Sequence, residues 1–517
     1  MRNSVRIRPL VGALALAGLA SLSLPAHAAS TQDELEALKQ TVRELQKRLE
    51  ALDQAVDQKV KIVERKQELV NEDVSKKLKD APTVTASNRG FGIRSPDKDF
   101  EFRLRGLAHI DYRVYDGDAH AQTTGNVPVA TDGFLARRIR PTFEGTLFGK
   151  YGFRFTPEFA ESGDGGAAAS GDRRNNRVRV VDAYFDINAA DQYKLRIGKH
   201  KPFVGLERLQ SGSDIKFIER SYVSNNILPN RDIGVSLHGD LLGKKLNYAV
   251  GYFNGVADGG DNFTSVDDNT DKDFAWRVFT TPFSDSYGPL AGLGFGVAGT
   301  WATDSNTNAL PRYRTPGQNQ FFAYAGTVTA AGTRNRISPQ AYYYKGPLGL
   351  IAEYAQVTQD VRRAATAAVG AGGAATNAVA AIDPTELKND AWQIAATWLL
   401  TGEDASFRGV KPLQPFKFGE PSGWGAWEVG LRYQENQLDN AAARFADNNG
   451  GTAGRAGYAL GARTWGVGLS WYHNENSKFL INYEDTRLDD LVAGAAAPTV
   501  LRGDKERFLS FRYQISY

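Results

Sequence analysis

The side chains of this chain best suited to chemistry are cations. Lys199, Lys201, Arg208, Lys216 and Arg220 fall within Gly198 to Tyr222, a stretch that also carries Phe203, Leu206, Leu209, Ile215, Phe217 and Ile218. A guanidinium keeps its charge at any relevant pH and offers paired donors to a phosphate or carboxylate edge, so the chemistry open to this set is reversible anion binding. Glu207, Asp214 and Glu219 lie beside the cations. They either neutralise them as structural salt bridges or temper a mixed site that holds an ion strongly enough to dehydrate it and weakly enough to release it. The stretch is too apolar, and too poor in Gly and Asn, for a loose external loop. It needs a surface to pack on.

Other chemistries find less support. The six histidines are His27, His109, His120, His200, His238 and His473, and no two are spaced as metal ligands on a helix, so no metal site is expected. There is no cysteine, which excludes thiolate nucleophiles, thiolate metal sites and disulfides. Gly294-Phe-Gly-Val-Ala-Gly299 matches a dinucleotide fingerprint by letter but sits within a strand pattern with no helix after it. His109 and Asp111 share a strand face and are the only pair that suggests a barrel hydrolase, without a recognisable nucleophile nearby. No enzyme activity and no cofactor are expected.

The surface is supplied by strands. From Phe100 the apolar pattern has period two: Phe102, Leu104, Gly106, Ala108, Ile110, Tyr112 and Val114 share one face, and Glu101, Arg103, Arg105, His109, Asp111 and Arg113 the other. So long a charged face cannot be a core. It fits a water-filled lumen better than the solvent face of a sandwich. Similar segments start near Phe134, Tyr151, Val178, Tyr193, Ile233, Lys245, Phe274, Gly294, Ser338, Leu348, Lys388, Ala426, Thr464, Phe479 and Glu506, about sixteen strands in all. The last ends on alternating Leu509, Phe511, Tyr513, Ile515 and Tyr517, with Arg512 on the wet face.

The expected fold is therefore an all-β transmembrane barrel of antiparallel strands. Tight turns are expected at Phe148-Gly149-Lys150, Ala189-Ala190-Asp191, Leu242-Gly243-Lys244 and Lys345-Gly346-Pro347. External loops are expected at Asp116 to Asp132, Glu161 to Asn176, Val361 to Pro384 and Leu438 to Ala462. In such a barrel the Gly198 to Tyr222 stretch can pack on the inner wall, narrow the pore and present its cations to a solute.

Ahead of the barrel, residues 1–28 read as a secretory signal: Arg2, Arg6 and Arg8, an apolar run from Leu10 to Leu24, and Ala26-His27-Ala28. Without those three arginines the chain has 59 basic and 59 acidic residues, so bulk attraction to nucleic acid is not indicated. Residues 29–80 read as a periplasmic coiled-coil helix. Leu35, Leu38, Val42, Leu45, Leu49, Leu52 and Val56 alternate at spacings of three and four, Val63 and Val70 continue one register, and Lys59 and Lys66 weaken its second half. The alternative is a single amphipathic helix lying on the domain. Residues 81–99 read as a linker and 100–517 as the barrel. A mean hydropathy of −0.40 with 53 glycines, 21 tyrosines and 27 phenylalanines suits a barrel with a polar lumen.

Here the sequence reaches a family resemblance. Gly-Leu-Glu-Arg at 205–208 and Ile-Glu-Arg at 218–220 resemble the constriction segment of the outer-membrane phosphate-selective porins of the O and P type. Further similar motifs are Ala136 to Gly145, Val181-Asp182-Ala183, Leu399 to Glu403, Gly425 to Glu428 with Arg432-Tyr433, and Ser470 to Asn474. The resemblance implies a homotrimer of sixteen-stranded barrels in the outer membrane of a Gram-negative bacterium, surrounded by lipid and lipopolysaccharide. It maps filter positions onto Arg208 and Arg220 with Lys216 close by, a lumenal aspartate opposite onto Asp182, and a basic pair onto Arg137 and Arg138, with Arg140 two residues on. Arg312 and Arg314 are the candidates for basic residues of a later loop. The implied solutes are small anions: phosphate, phosphorylated solutes or polyphosphate. Dicarboxylates and other organic anions, or weak selectivity, are the alternative within transport, and a structural, envelope-tethering barrel is the alternative outside it.

Overall fold

In a computed structural model of the chain, the described residues are 31–88, 90–117, 123–124, 127–128, 132–160, 178–261, 271–305, 310–365, 380–419, 423–446, 458–492 and 505–517. The expected signal, His27, His120 and the whole of the Glu161 to Asn176 loop lie outside them, as do parts of the other three expected loops. The chain divides into two units, Met1–Ala81 and Pro82–Tyr517.

The first unit is the helix α1, Thr31–Asp80, of 50 residues. It contains neither Gly nor Pro. Asp33 and Glu34 in its first turn and Lys77 and Lys79 in its last oppose the helix dipole, and Glu44–Arg48 (3.0 Å) and Asp73–Lys77 (2.8 Å) bridge successive turns. Every seam residue from Leu35 to Val56 is exposed in the single chain.

The second unit is a closed antiparallel barrel of sixteen strands: β1 Glu101–Gly117, β2 Gly133–Leu147, β3 Tyr151–Glu158, β4 Arg179–Ala190, β5 Tyr193–His200, β6 Asp232–Leu241, β7 Leu246–Phe253 and β8 Asp273–Thr280. The second half is β9 Leu293–Ser305, β10 Val328–Lys345, β11 Leu348–Arg363, β12 Ile382–Leu399, β13 Ala426–Gln437, β14 Tyr458–Tyr472, β15 Ser477–Val492 and β16 Lys505–Ser516. Pairing of β16 with β1, from Glu506↔Gly117 to Ser516↔Leu107, closes the ring and leaves the main strands no open edge.

The period-two pattern is turned inside out relative to a soluble protein. On β1, Ile110 and Tyr112 point outward and are exposed, whereas His109, Asp111 and Arg113 are buried inside. The outward face also carries Phe134, Phe185, Trp301, Ile394, Leu431 and Trp465, while Arg432, Gln434, Asn482, Glu484 and Arg512 are buried within. That is the division a lipid-facing wall requires. The four expected tight turns are present, and Phe148 and Gly149 in one and Leu242, Gly243 and Lys244 in another adopt the positive φ that reverses the chain in so few residues.

Three differences from expectation have physical reasons. Strands β10, β12 and β14 start six to ten residues earlier than the apolar alternation indicated, because pairing continues beyond the band of roughly 9–11 residues that lipid demands. The expected linker at 81–99 contains a hairpin, Thr83–Ser87 with Gly90–Arg94, which pairs onto β1 through Phe91↔Leu104 to Arg94↔Glu101. Its short alternating segments are ordinary edge-strand sequence. Finally, the connection between β12 and β13, at the tight-turn end, is long and turns inward: Ala405 and Val410 are buried and Phe407 stacks on Tyr342 at 5.4 Å.

Candidate functional site

The segment between β5 and β6 lies within the barrel. It follows β5, which carries Gly198 two residues before its end, where a φ of +121° is open to glycine and an added Cβ would meet the Ala183 carbonyl oxygen at 2.3 Å. A single helical turn at Leu206–Leu209 follows, and Val204, Leu206, Ile215, Phe217, Ile218, Tyr222 and Val223 are all buried. Alanines of the wall, among them Ala275, Ala298, Ala355 and Ala391, leave room for part of this apolar mass, which also packs on Tyr313, Phe321 and Phe322 of a second inward segment.

Polar wall groups hold the segment by its backbone. The Glu353 carboxylate accepts from Leu206 N (2.6 Å) and Glu207 N (3.1 Å), Asn482 from Ile218 N (3.0 Å) and Gln434 from Tyr222 N (2.8 Å). Arg512, Arg432 and Lys478 donate to the carbonyls of Ile218 (2.7 Å), Glu219 (2.9 Å) and Ile215 (3.1 Å). Buried backbone groups need such partners, and their spread over β11, β13, β15 and β16 fixes the segment to that side of the ring.

Two of the segment's three acids serve this fastening. Glu219 accepts from Arg137 (2.8 Å) and Arg113 (2.7 Å) of the wall, and Glu207 from Ser221 N and Oγ (2.9 and 2.7 Å). The segment's own arginines are thus not neutralised by their neighbours in sequence. Arg220 donates to the carbonyls of Glu207 (3.3 Å) and Gln210 (2.9 Å), and Arg208 to the carbonyl of Ser224 and to Asn225 Oδ1. Among the described residues neither has a carboxylate within salt-bridge distance. Burial, then repulsion from Arg208, brings the Arg220 guanidinium down to about 9, still charged at neutral pH and disposed to gain from a bound anion.

A chamber of about 330 Å³ opens on the side of the long connections. Among the described residues ten basic side chains line it, Arg137, Arg138, Arg140, Arg179, Lys199, Arg208, Arg220, Arg231, Arg312 and Arg314, against the four acids Glu158, Glu219, Asp258 and Asp261. Of these acids Glu158 is held by Arg140, and Asp258 by Arg336 at 2.7 Å. Arg137 and Arg138 both reach the chamber although they are neighbours on a strand. A bulge between β1 and β2 pairs His109 with Arg138 and Ile110 with Ala136, so Arg137 is the extra residue and the faces switch there. Arg138 donates to His109 Nδ1 at 3.1 Å, and Asp111 takes a two-pronged bond from Arg512 (2.6 and 2.7 Å), so both members of the suggested hydrolase pair are engaged by arginines.

A second chamber lies toward the tight turns, lined by Arg105, Arg140, Arg154, Arg196, Lys201 and Arg231 with Asp182, Tyr184, His200 and Phe203. Arg196 lies over the Tyr184 ring at 4.0 Å.

The expected site residues divide accordingly. Lys199, Arg208, Arg220, Arg137, Arg138 and Arg140 come together at the first chamber, joined by Arg312 and Arg314 from the second inward segment. Lys201 and Arg105 line the second chamber, where Lys201 Nζ donates to the carbonyls of Arg208 (2.7 Å) and Gln210 (2.9 Å) and Arg105 approaches Glu144 at 3.4 Å. Asp182 lies there too, bonded to Arg231 Nε at 2.8 Å. Lys216 is elsewhere: it pairs with Glu428 at 3.3 Å in a small crevice beside Phe217 and Tyr344, because the segment turns its side chain toward the far wall. Arg103, on the lumenal face near the start of β1, is bonded to Glu101 and lines neither chamber.

Arg179 and Arg231 escaped the sequence reading. For Arg231, strand parity pointed the wrong way, grouping it with Ile233, Val235 and Leu237 on the outward face. It faces in because it belongs to the loop ahead of β6.

Comparison with known proteins was made by sequence and by fold. A family model described as phosphate-selective porin O and P matches residues 102–502. Porin O of Pseudomonas aeruginosa is 23% identical over 449 residues, covering 80% of this chain and 89% of that protein. Among solved structures, the outer-membrane channel DcaP of Acinetobacter baumannii aligns at 12% identity and a TM-score of 0.46, over 83% of this chain and 99% of that one. An anion-selective porin from Comamonas acidovorans aligns at 13% identity and a TM-score of 0.44, over 81% and 100%.

Proposed function

Because this chain belongs to the phosphate-selective porin O and P family, we propose that it is an outer-membrane porin through which small anions diffuse, and that phosphate or phosphorylated solutes, polyphosphate included, are its favoured cargo. The observation that carries the reading is the first chamber, where, among the described residues, ten cations face four acids and neither Arg208 nor Arg220 has a carboxylate partner. Anions are concentrated there by charge and exchanged between guanidinium forks whose donors suit an oxyanion edge. The inward segment, fixed by its backbone, is the constriction that keeps those forks in place. No covalent step is involved.

A second reading within transport is favoured by size. Room of about 330 Å³ holds on the order of ten waters at the roughly 30 Å³ each takes in the liquid, so an anion can rest in that chamber with part of its hydration shell. Dicarboxylates would then pass as well as phosphate. Single-channel current in graded phosphate and chloride separates the two: phosphate current that saturates at low concentration and blocks chloride supports phosphate preference, and linear conductance for both overturns it.

The exposed seam of α1 supports assembly with further copies of the chain, in keeping with a homotrimer whose helices form a coiled coil on the periplasmic side. Deleting residues 31–79 tests this and the tethering alternative together. Loss of cross-linkable trimer with unchanged current per barrel and an intact envelope is the expected result, and a weakened envelope would instead support a tether.

A further inference from the structure

The second inward segment, between β9 and β10, forms a short hairpin in which Arg312–Arg314 pair with Gln320–Ala323. We propose that Glu506 is the positioning residue of this hairpin: it fastens the tip on the far side of the lumen, and Arg312 and Arg314 select anions at the first chamber only while that fastening holds. The proposal rests on the anion-channel reading above.

The two faces of the hairpin explain its course. Arg312 and Arg314, two apart on one strand, share a face and line the first chamber, whereas Tyr313 between them is buried together with Phe321 and Phe322. Asn389 of β12 donates to the Tyr313 hydroxyl at 2.9 Å. Asn226, from the segment between β5 and β6, exchanges two bonds with the Arg314 backbone, donating to its carbonyl (3.0 Å) and accepting from its N–H (3.2 Å). At the root, Ala325 N donates to the Phe445 carbonyl at 2.9 Å. Nearly half the ring away from β9 and β10, the tip meets β1 and β16.

One carboxylate receives that tip. Glu506, near the start of β16, is 1% exposed; its Oε2 accepts from Thr315 Oγ1 (2.9 Å) and Asn319 Nδ2 (2.5 Å), and its Oε1 from Gly317 N (3.2 Å). Tyr115 of β1 donates from its hydroxyl to the Gly317 carbonyl at 2.9 Å. The buried acids Glu219 and Glu484 are held by arginines, but the donors to Glu506 among the described residues are neutral and all belong to the hairpin tip. Its burial is thus offset by the hairpin itself. Gly317 bears the mark of the contact, since an added Cβ would lie 2.6 Å from Glu506 Oε1 and 3.0 Å from Tyr115 Cε1.

Two roles are open to such an acid, and they move selectivity in opposite directions. A negative charge beside the path repels anions, so its removal raises anion preference. A fastener of two arginines supports anion preference, so its removal lowers it.

The full-length protein, reconstituted in planar bilayers after heat-modifiable migration has verified the folded barrel, is recorded in a potassium chloride gradient, and the reversal potential gives the anion-to-cation permeability ratio. Glu506→Ala should lower the ratio about three-fold or more, the effect of taking one cation at about 6 Å out of reach in a water-like medium. Gly317→Ala, which keeps the acid and displaces the tip, should lower it about two-fold or more. Arg312→Gln with Arg314→Gln should lower it too, and adding Glu506→Ala to that pair should lower it no further, because Glu506 acts through them. A higher or unchanged ratio for Glu506→Ala, or a further fall when it joins the arginine pair, overturns the role. Should Glu506→Ala not fold, Gly317→Ala alone and on the arginine pair carries the same expectation and the same refutation. An original protein without anion preference refutes the channel reading, and this role with it, before any variant is recorded.

Discussion

Replacing Arg220 by alanine removes a cation of the first chamber that has no carboxylate partner among the described residues, and the loss should be read directly in ion selectivity. For an anion resting about 6 Å from the guanidinium, Coulomb's law gives roughly 0.7 kcal/mol in a water-like medium and roughly 2.8 kcal/mol at an effective dielectric of about 20. An intermediate value near 1.4 kcal/mol is about tenfold in occupancy. Arg103 is the control. It is 40% exposed and bonded to Glu101, and it stands six residues from His109, the partner of Arg138. Six strand residues span about 20 Å, beyond the screening length of about 10 Å at 0.1 M salt, so Arg103→Ala should change the permeability ratio less than about two-fold. The assay is the reversal potential of the reconstituted full-length protein in a salt gradient. Because Arg220 also holds the carbonyls of Glu207 and Gln210, Arg220→Gln, which keeps an N–H donor, separates charge from scaffolding. Equal shifts for Arg220→Ala and Arg103→Ala, or an Arg220→Gln that behaves like the original protein, would refute the assignment of the inward segment as the filter.

Two further outcomes concern the scaffold. Glu353→Ala strands two buried N–H groups, at roughly 1–3 kcal/mol each, and should free the inward segment: single-channel recordings should show larger, noisier current with lower anion preference, and quiet current of unchanged size would sink the idea. Gly198→Ala forces a side chain into a φ of +121° and against the Ala183 carbonyl, at a cost of about 1–3 kcal/mol or more, so its thermal midpoint should fall; an unshifted midpoint would show that β5 does not depend on glycine there.

The barrel and its strand count were legible because a lipid-facing wall leaves a signal in every strand. Each outward position must be apolar and each inward one can be polar, so parity alone assigns Ile110 and Tyr112 to one face and His109 and Asp111 to the other. The family followed from motifs spread over the same region. The inward course of Gly198 to Tyr222 was legible as well, since its apolar residues required a wall.

The site was legible only where parity or motif reached it. Parity is a rule about regular strands, and it fails where the backbone departs from them. The bulge that makes Arg137 an extra residue turns both it and Arg138 inward, and the loop position of Arg231 does the same against its strand's phase. Lys216 shows the converse, sharing a segment with Arg220 yet facing Glu428 on another wall. Which acid meets which base was beyond the sequence altogether: Glu219 sits beside Arg220 in the chain but binds Arg113 and Arg137, both about a hundred residues earlier or fewer.

The sequence by itself therefore determined the closed barrel, the long N-terminal helix, the family and the basic character of the inward segment, because each is written in local periodicity or local composition. Only the tertiary structure decided which cations share a chamber, which are neutralised, and where two chambers meet. Those outcomes depend on distances across the lumen between strands remote in the chain, and no spacing along the sequence encodes them.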